Sequence, residues 1–254
     1  MIDAVSHVNL GGIRTAACSR QDLIDLMLRD APNVRRLGEP ARLVFDSNGQ
    51  AVSLNATDAT YRAAMEEADL IHADGGIIVA ASRVGKGEVI PDRSSTTDMF
   101  QESLTEAARL DVSYFLLGGT EEVNALCAEK VRQLAPGINI CGRRNGYFSE
   151  AEEADVIEEI NRSGADVLWV GLGKPKEQMF SCRNRNKLKV GWIVTCGGLY
   201  NFVTGHYKRA PDWMCRSGLE WAHRLASDPK RLFWRYATTS PHALWLLLSR
   251  RKSG

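Results

Sequence analysis

"DVSYFLLGG" at residues 111–119 is an apolar run of strand length ending on two glycines, and "TEEVNALCAEKVRQLAPG" at 120–137 follows it with helical spacing. The alternation continues through "INICGRRNGYF" (138–148), "SEAEEADVIEEINRSGA" (149–165), "DVLWVGLG" (166–173), "KPKEQMFSCRNRNKL" (174–188) and "VGWIVTCGG" (190–198). Strands alternating with helices of this length imply βαβ units and a mainly parallel sheet. Right-handed crossovers then bring the strand ends, and any ligand, to one edge of that sheet. The expected fold is therefore α/β, a Rossmann-like, mainly parallel sheet with flanking helices.

Working back from this core, "RQDLIDLMLRD" (20–30) reads as a helix and "APNVRRLGEPA" (31–41) as a loop. "RLVFDSNGQAVSLN" (42–55) reads as two short strands about an Asn48-Gly49 hairpin signal. A helix over "ATDATYRAAMEEA" (56–68) leads into "DLIHADGG" (69–76), and "IIVAASRVG" (77–85) into the loop "KGEVIPDRSSTTDMF" (86–100).

With 254 residues, 44% of them hydrophobic, the chain can bury a sizeable core. Six scattered cysteines with no C-x-x-C pair argue against a zinc site and fit a reducing, cytosolic setting. No apolar stretch reaches the roughly 18 residues of a membrane span, and the N-terminus lacks the basic start and apolar run of a secretion signal. The net charge of +1 conceals an asymmetry: residues 206–254 hold ten Lys and Arg against three Asp and Glu, a local +7. This divides the chain into a core, 1–205, and a basic helical appendage, 206–254, suited to an anionic partner.

Several residues are candidates for chemistry. Gly171 and Gly173 end a strand, and Pro175 opens the next helix, whose free N–H groups with Lys176 suit a phosphate; a plain strand-to-helix turn is the competing reading. Arg93, Thr97 and Asp98 lie in "IPDRSSTTD", which fits a sugar or phosphate site, or equally a helix cap. Asn55 and Asp74 each follow an apolar run, which places both at the sheet edge, where an aspartate can take a proton from an alcohol; each also suits a turn.

Residues from about 50 to 236 resemble glycosyltransferase family 26, bacterial inverting enzymes of cell-surface polysaccharide synthesis. The resemblance rests on seven ordered pieces: "VSLNATDATYRAAMEEADLIHADG", "IPDRSSTTD", "FLLGGTEEV", "GYF", "VLWVGLGKPKEQMF", "TCGGLYNFVTG" and "RAPDWMCRSGLEWAHRLASDPKRLFWRY". It implies Asp74 as the base, with Asn55, Arg93, Thr97 and Asp98 in the substrate site. Many members read Pro-Lys-Gln-Glu where this chain has Pro175-Lys176-Glu177-Gln178, so the polar contact falls to Glu177 or Gln178. Arg93, Lys176 and a tail arginine, Arg209 or Arg216, are candidates to stabilise a leaving diphosphate. No D-x-D metal motif accompanies the site, and neither a metal nor a cofactor is expected. The implied partners are a nucleoside diphosphate sugar and a lipid-linked saccharide, a hexose passing between them.

The resemblance also implies a cytoplasmic protein seated on the inner face of the membrane by its appendage. There Trp213, Trp221, Trp234 and Trp245 interleave with Arg216, Arg224, Arg231 and Arg235, which suits an anionic headgroup interface. Nucleic-acid binding is the rival for such a segment, but no recognised module accompanies it; an ordinary charged helix face is a third reading. Homo-oligomerisation stays open. The alternative function is an inactive sugar-nucleotide-binding or scaffold protein; an NAD oxidoreductase is disfavoured by the absence of G-x-G-x-x-G.

Overall fold

The computed structural model describes residues 2–84, 87–211, 214 and 220–249. The chain opens with an antiparallel ribbon of β1 (His7–Leu10) and β2 (Ile13–Ala16). Its two-residue turn is Gly11-Gly12, at φ 62° and 90°, the left-handed geometry that tight hairpins demand. This ribbon is an addition to the expected elements. It precedes α1 (Arg20–Leu37), β3 (Arg42–Ser47), α2 (Gly49–Thr57), α3 (Ala59–Glu66), β4 (Leu70–Ala73), α4 (Gly76–Val84) and α5 (Thr96–Arg109). Then come β5 (Tyr114–Gly118), α6 (Glu121–Leu134), β6 (Ile140–Arg144), α7 (Glu153–Ser163), β7 (Val167–Gly171), α8 (Lys176–Asn184), β8 (Trp192–Thr195) and α9 (Leu199–Thr204). Two further helices, α10 (Glu220–Ser227) and α11 (Pro229–Ser249), complete the described chain.

Six strands form one sheet in the order β4-β3-β8-β7-β5-β6, all pairs parallel. Side chains alternate across its two faces, and both faces are covered. Val44, Tyr114, Leu116, Trp169, Trp192 and Val194 enter the core shared with α1, α5 and α6. Their neighbours Leu43, Phe45, Phe115, Leu117, Leu168, Val170 and Ile193 enter the opposite core. Because the central strands β5, β7 and β8 are apolar on both sides, they read as continuous runs rather than alternations.

Two local expectations are corrected. The segment 42–55 is a strand and then a helix, not a hairpin. Asn48 has φ −147° and ψ −179°, an extended conformation, and its side chain accepts the Ala51 N–H as the cap of α2. A tight Asn-Gly hairpin would need positive φ at both residues, and helix capping wins here. Second, α1 runs through Pro32 instead of ending at residue 30. Ala31 and Val34 are buried, Arg35 Nε bonds the Asp166 carboxylate at 2.6 Å, and Gly38 caps the helix at φ 67°. These tertiary contacts outweigh the roughly 3 kcal/mol that an interior proline costs.

The break in composition at residue 205 is not a break in packing. Ala243, Leu246 and Leu247 of α11 are buried in the same cluster as Val52 and Leu10. The His242 Nδ1 lies 2.9 Å from the Ser53 hydroxyl of α2. Among the described residues no helix is long and apolar enough to cross a membrane.

Leu246 is 3% exposed, so Leu246→Ala should cost about 2–5 kcal/mol, the range for emptying a buried leucine site. Denaturant unfolding measures this directly; a loss under 0.5 kcal/mol, the scale of ordinary surface substitutions, would show α11 to be detached from the core.

Candidate active site

β3, β4, β5, β7 and β8 all end at one edge, and the chain winds away from them in both directions. A crevice must form there. It is a cavity of about 700 Å³ whose lining includes Gly49, Gly76, Thr96 and Lys176, the first residues of α2, α4, α5 and α8. Helix starts present free N–H groups and partial positive charge, which favour an anion.

The floor is a charged, hydrogen-bonded set. Asp46, near the end of β3, is buried, and both its oxygens lie 2.5 Å from Lys174 Nζ. Asn48 Nδ2 donates to Asp46 at 2.9 Å and to Asp74 at 3.3 Å. Asp74, just beyond β4, also accepts the Thr96 N–H at 3.1 Å. Burial works to raise the Asp74 pKa, but the Arg93 guanidinium foremost, then His72, the Lys174 ammonium and the Thr96 amide, hold the carboxyl below its ordinary value. Burial likewise opposes the Lys174 charge, and the Asp46 carboxylate outweighs it, so that ammonium is held above its ordinary value. His72, beneath them on β4, is buried, and burial lowers its pKa. Its Nδ1 donates to the Ser94 carbonyl at 2.7 Å.

Glu177 and Gln178 are both fully buried, and only Glu177 lines the cavity. One Glu177 oxygen accepts the Gly173 N–H at 2.9 Å and the Gly197 N–H at 3.0 Å, joining the loop after β7 to the loop after β8. Burial, the largest influence, pushes this carboxyl up to about 7 despite Lys174 and the two amides.

The remaining candidates separate. Arg93, Thr97, Gly171, Gly173 and Lys176 line the cavity with Asp74. Lys176 Nζ also stands 5.3 Å from the centre of the Phe148 ring. Asp98 does not line it: it pairs with Arg20, Arg93 and Arg209 and so anchors them. Arg209 is thereby held outside the cavity, and Arg216 lies outside the described residues, as do Trp213 and the side chains of Arg231 and Arg235. Asn55 is the clearest correction. It sits within α2, not at a strand end, and its Nδ2 donates to the Gly12 carbonyl at 3.3 Å. There it lines a smaller cavity of about 200 Å³ beside the ribbon.

Asp46, Asn48 and Lys174 were not among the sequence candidates. The signal for the first two is the polar "DSN" (46–48) directly after "RLVF", which the hairpin reading hides. Lys174 stood beside Lys176, which attracted the phosphate role. Trp221 and Arg224 of α10 also line the cavity. Among the described residues no group of His, Cys, Asp or Glu is arranged to hold a metal.

An open parallel sheet with a ligand-sized, positively edged crevice over its strand ends defines a Rossmann-like α/β protein. The chain belongs to the WecG/TagA/CpsF family of glycosyl transferases, whose model matches residues 8–254. It is a sugar transferase by family, and the match takes in both the sheet and α11.

The Glu177 carboxyl binds its proton more tightly in the folded chain, with a pKa of about 7 against an ordinary 4.5. Its contribution to stability is therefore greatest below the unfolded value, falls as pH rises between the two, and stays low above both. Relative to the wild type, Glu177→Gln should gain stability across that interval and no further beyond it. Urea unfolding at pH 4.5, 6 and 8 tests this; a pH-independent difference would contradict it.

Proposed function

We propose that this chain is an inverting glycosyltransferase that moves a hexose from a nucleoside diphosphate sugar to a polyprenyl-diphosphate-linked saccharide in cell-surface polysaccharide synthesis. Glucose, N-acetylmannosamine and its uronic acid are the candidate hexoses. The observation carrying this reading is Asp74, a carboxylate oriented by two hydrogen bonds at the floor of the crevice. In the reaction, the acceptor oxygen attacks the anomeric carbon from the face opposite the diphosphate. The bond to the diphosphate breaks and its electron pair leaves with the phosphate oxygen, while Asp74 takes the hydroxyl proton. A carboxylate held below its ordinary pKa is a weak base, so proton transfer accompanies bond formation, when the attacking hydroxyl has become acidic. Arg93, Lys176 and the helix amides supply positive charge for the departing diphosphate.

Asp74→Asn should keep the fold and nucleotide-sugar binding while slowing transfer by about 10²-fold or more. Isotope-labelled transfer to a short-chain lipid acceptor measures it. A wild-type rate would reduce Asp74 to a turn residue, and binding without any transfer by the wild type would favour the inactive-scaffold reading.

The same reading places the protein peripherally on the inner face of the bacterial membrane, where a lipid-linked acceptor resides. Its support is the surface of the tail: Trp221, Phe233, Trp234, Leu244, Trp245 and Leu248 are exposed within a segment of net charge +7. Basic residues near an anionic bilayer contribute roughly 1 kcal/mol each before screening, and tryptophans favour the interface. Because α11 also packs into the core, substitution is a better test than truncation. Trp234→Ser with Trp245→Ser should weaken binding to phosphatidylglycerol-containing vesicles while leaving thermal stability within a few degrees. Wild-type binding should fall as salt rises without vanishing, since apolar insertion is unscreened. Vesicle affinity equal to that of the wild type would remove the tail from the membrane contact.

A further inference from the structure

We infer that Lys174 is a positioning residue for Asp74, acting through Asp46 and Asn48; the inference rests on Asp74 being the base of transfer. Asn48 carries the coupling. Its Oδ1 is committed to the Ala51 N–H at 3.1 Å, so its Nδ2 faces the carboxylates and donates to both Asp46 and Asp74. Two carboxylates sharing one amide nitrogen repel each other and strengthen each other's hold on a proton. The Lys174 ammonium, 2.5 Å from both Asp46 oxygens, cancels one of those charges. Asp74 thus meets a neutral pair, stays ionised, and keeps its hydrogen bond to Asn48. The pair itself is withdrawn from solvent, with the side chains of Lys174 and Asp46 8% and 6% exposed. Any net charge left on it by substitution would therefore act on Asp74 with little screening.

The other charged or titratable groups about Asp74 are Arg93, ahead of α5 and paired with Asp98, and His72 on β4. Lys176 and Glu177 on α8 and Arg224 on α10 line the same cavity. None of them needs to be altered to test the pair, so a charge series at residues 46 and 174 isolates its effect.

The experiment is a carbon-13 titration of the aspartate carboxyls in the full chain without ligand, with Asp74→Asn assigning the signal. Lys174→Met should move the Asp74 midpoint up by about one pH unit, the low end for a neighbouring charge. Asp46→Asn should move it down, and the double variant should return it to within half a unit of the wild type, as Lys174→Arg should also do. Opposite movements with cancellation are not produced by a general loosening of the fold. If Lys174→Met does not fold, Asp46→Asn against the double variant carries the same test, since removing both partners of a buried pair is tolerated better than removing one. An Asp74 midpoint that stays fixed in the single variants, moves the same way in both, or fails to return in the double variant overturns the inference. That failure is distinct from a wild-type transfer rate in Asp74→Asn, which would remove the base itself.

Discussion

The Asp46–Lys174 ion pair sets the geometry of the sheet edge. Asp46 belongs to β3 and Lys174 follows β7, and β8 lies between those strands in the sheet. The pair therefore reaches across a strand and fastens the loop after β7 to β3. Each charge depends on the other for its burial: breaking such a pair typically costs about 3–5 kcal/mol because one ion is left uncompensated. Glu177 extends the same clamp by gathering the Gly173 and Gly197 N–H groups. The loops after β7 and β8 are in this way held as one floor, over which the starts of α2, α5 and α8 keep their direction.

Close backbone approach is the second constraint on that floor. Gly118 and Gly171 are paired in register at the ends of β5 and β7. A Cβ on Gly118 would overlap the Gly171 carbonyl, and one on Gly171 would stand 2.7 Å from the Tyr200 ring. Tyr200, fully buried, donates its hydroxyl to the Trp169 carbonyl at 2.7 Å, which ties α9 to the top of β7. Gly171 is thus required by packing between strands and α9, whatever ligand lies above it. Gly173 differs: at φ +77° with nothing near its missing side chain, it is required by its backbone conformation.

The parallel sheet was legible because each central strand is apolar on both faces and the helices between strands keep a helical period. The crossover pattern then located the edge where the crevice opens; Asp74, Gly171, Gly173 and Lys176, expected there from strand ends and a helix start, line it, as do Arg93 and Thr97, singled out by their side chains and by the resemblance. What escaped the reading has a common cause. Asn48 is a good hairpin residue and a good helix cap, and local chemistry does not choose between them; the choice is made by α2 burying Ala51 and Val52 against β3. A hairpin at that turn would hide Asp46 and Asn48 and place Asn55 at a strand end, whereas α2 carries Asn55 away from the edge. Pro32 misled similarly, since the contacts that keep α1 running past it come from Asp166, 131 residues away along the chain from Arg35.

Composition described the tail by what it exposes, while its packing depends on what it hides. Along α11, Ala243, Leu246 and Leu247 are buried, whereas Leu244, Trp245 and Leu248 are exposed. Both triplets follow helical spacing, so the helix is apolar on two faces, and only one of them meets α2. Thr239, Ser240 and Ala243 of the same helix line the cavity. A surface that covers the outer face of α11 must therefore lie beside the crevice mouth. In the proposed reading that surface is the bilayer, and a lipid-linked acceptor held in it would present its sugar to the strand ends without leaving the membrane. On that reading, docking and acceptor delivery would both depend on the orientation of one helix, which is set by its buried face against Val52 and Leu10.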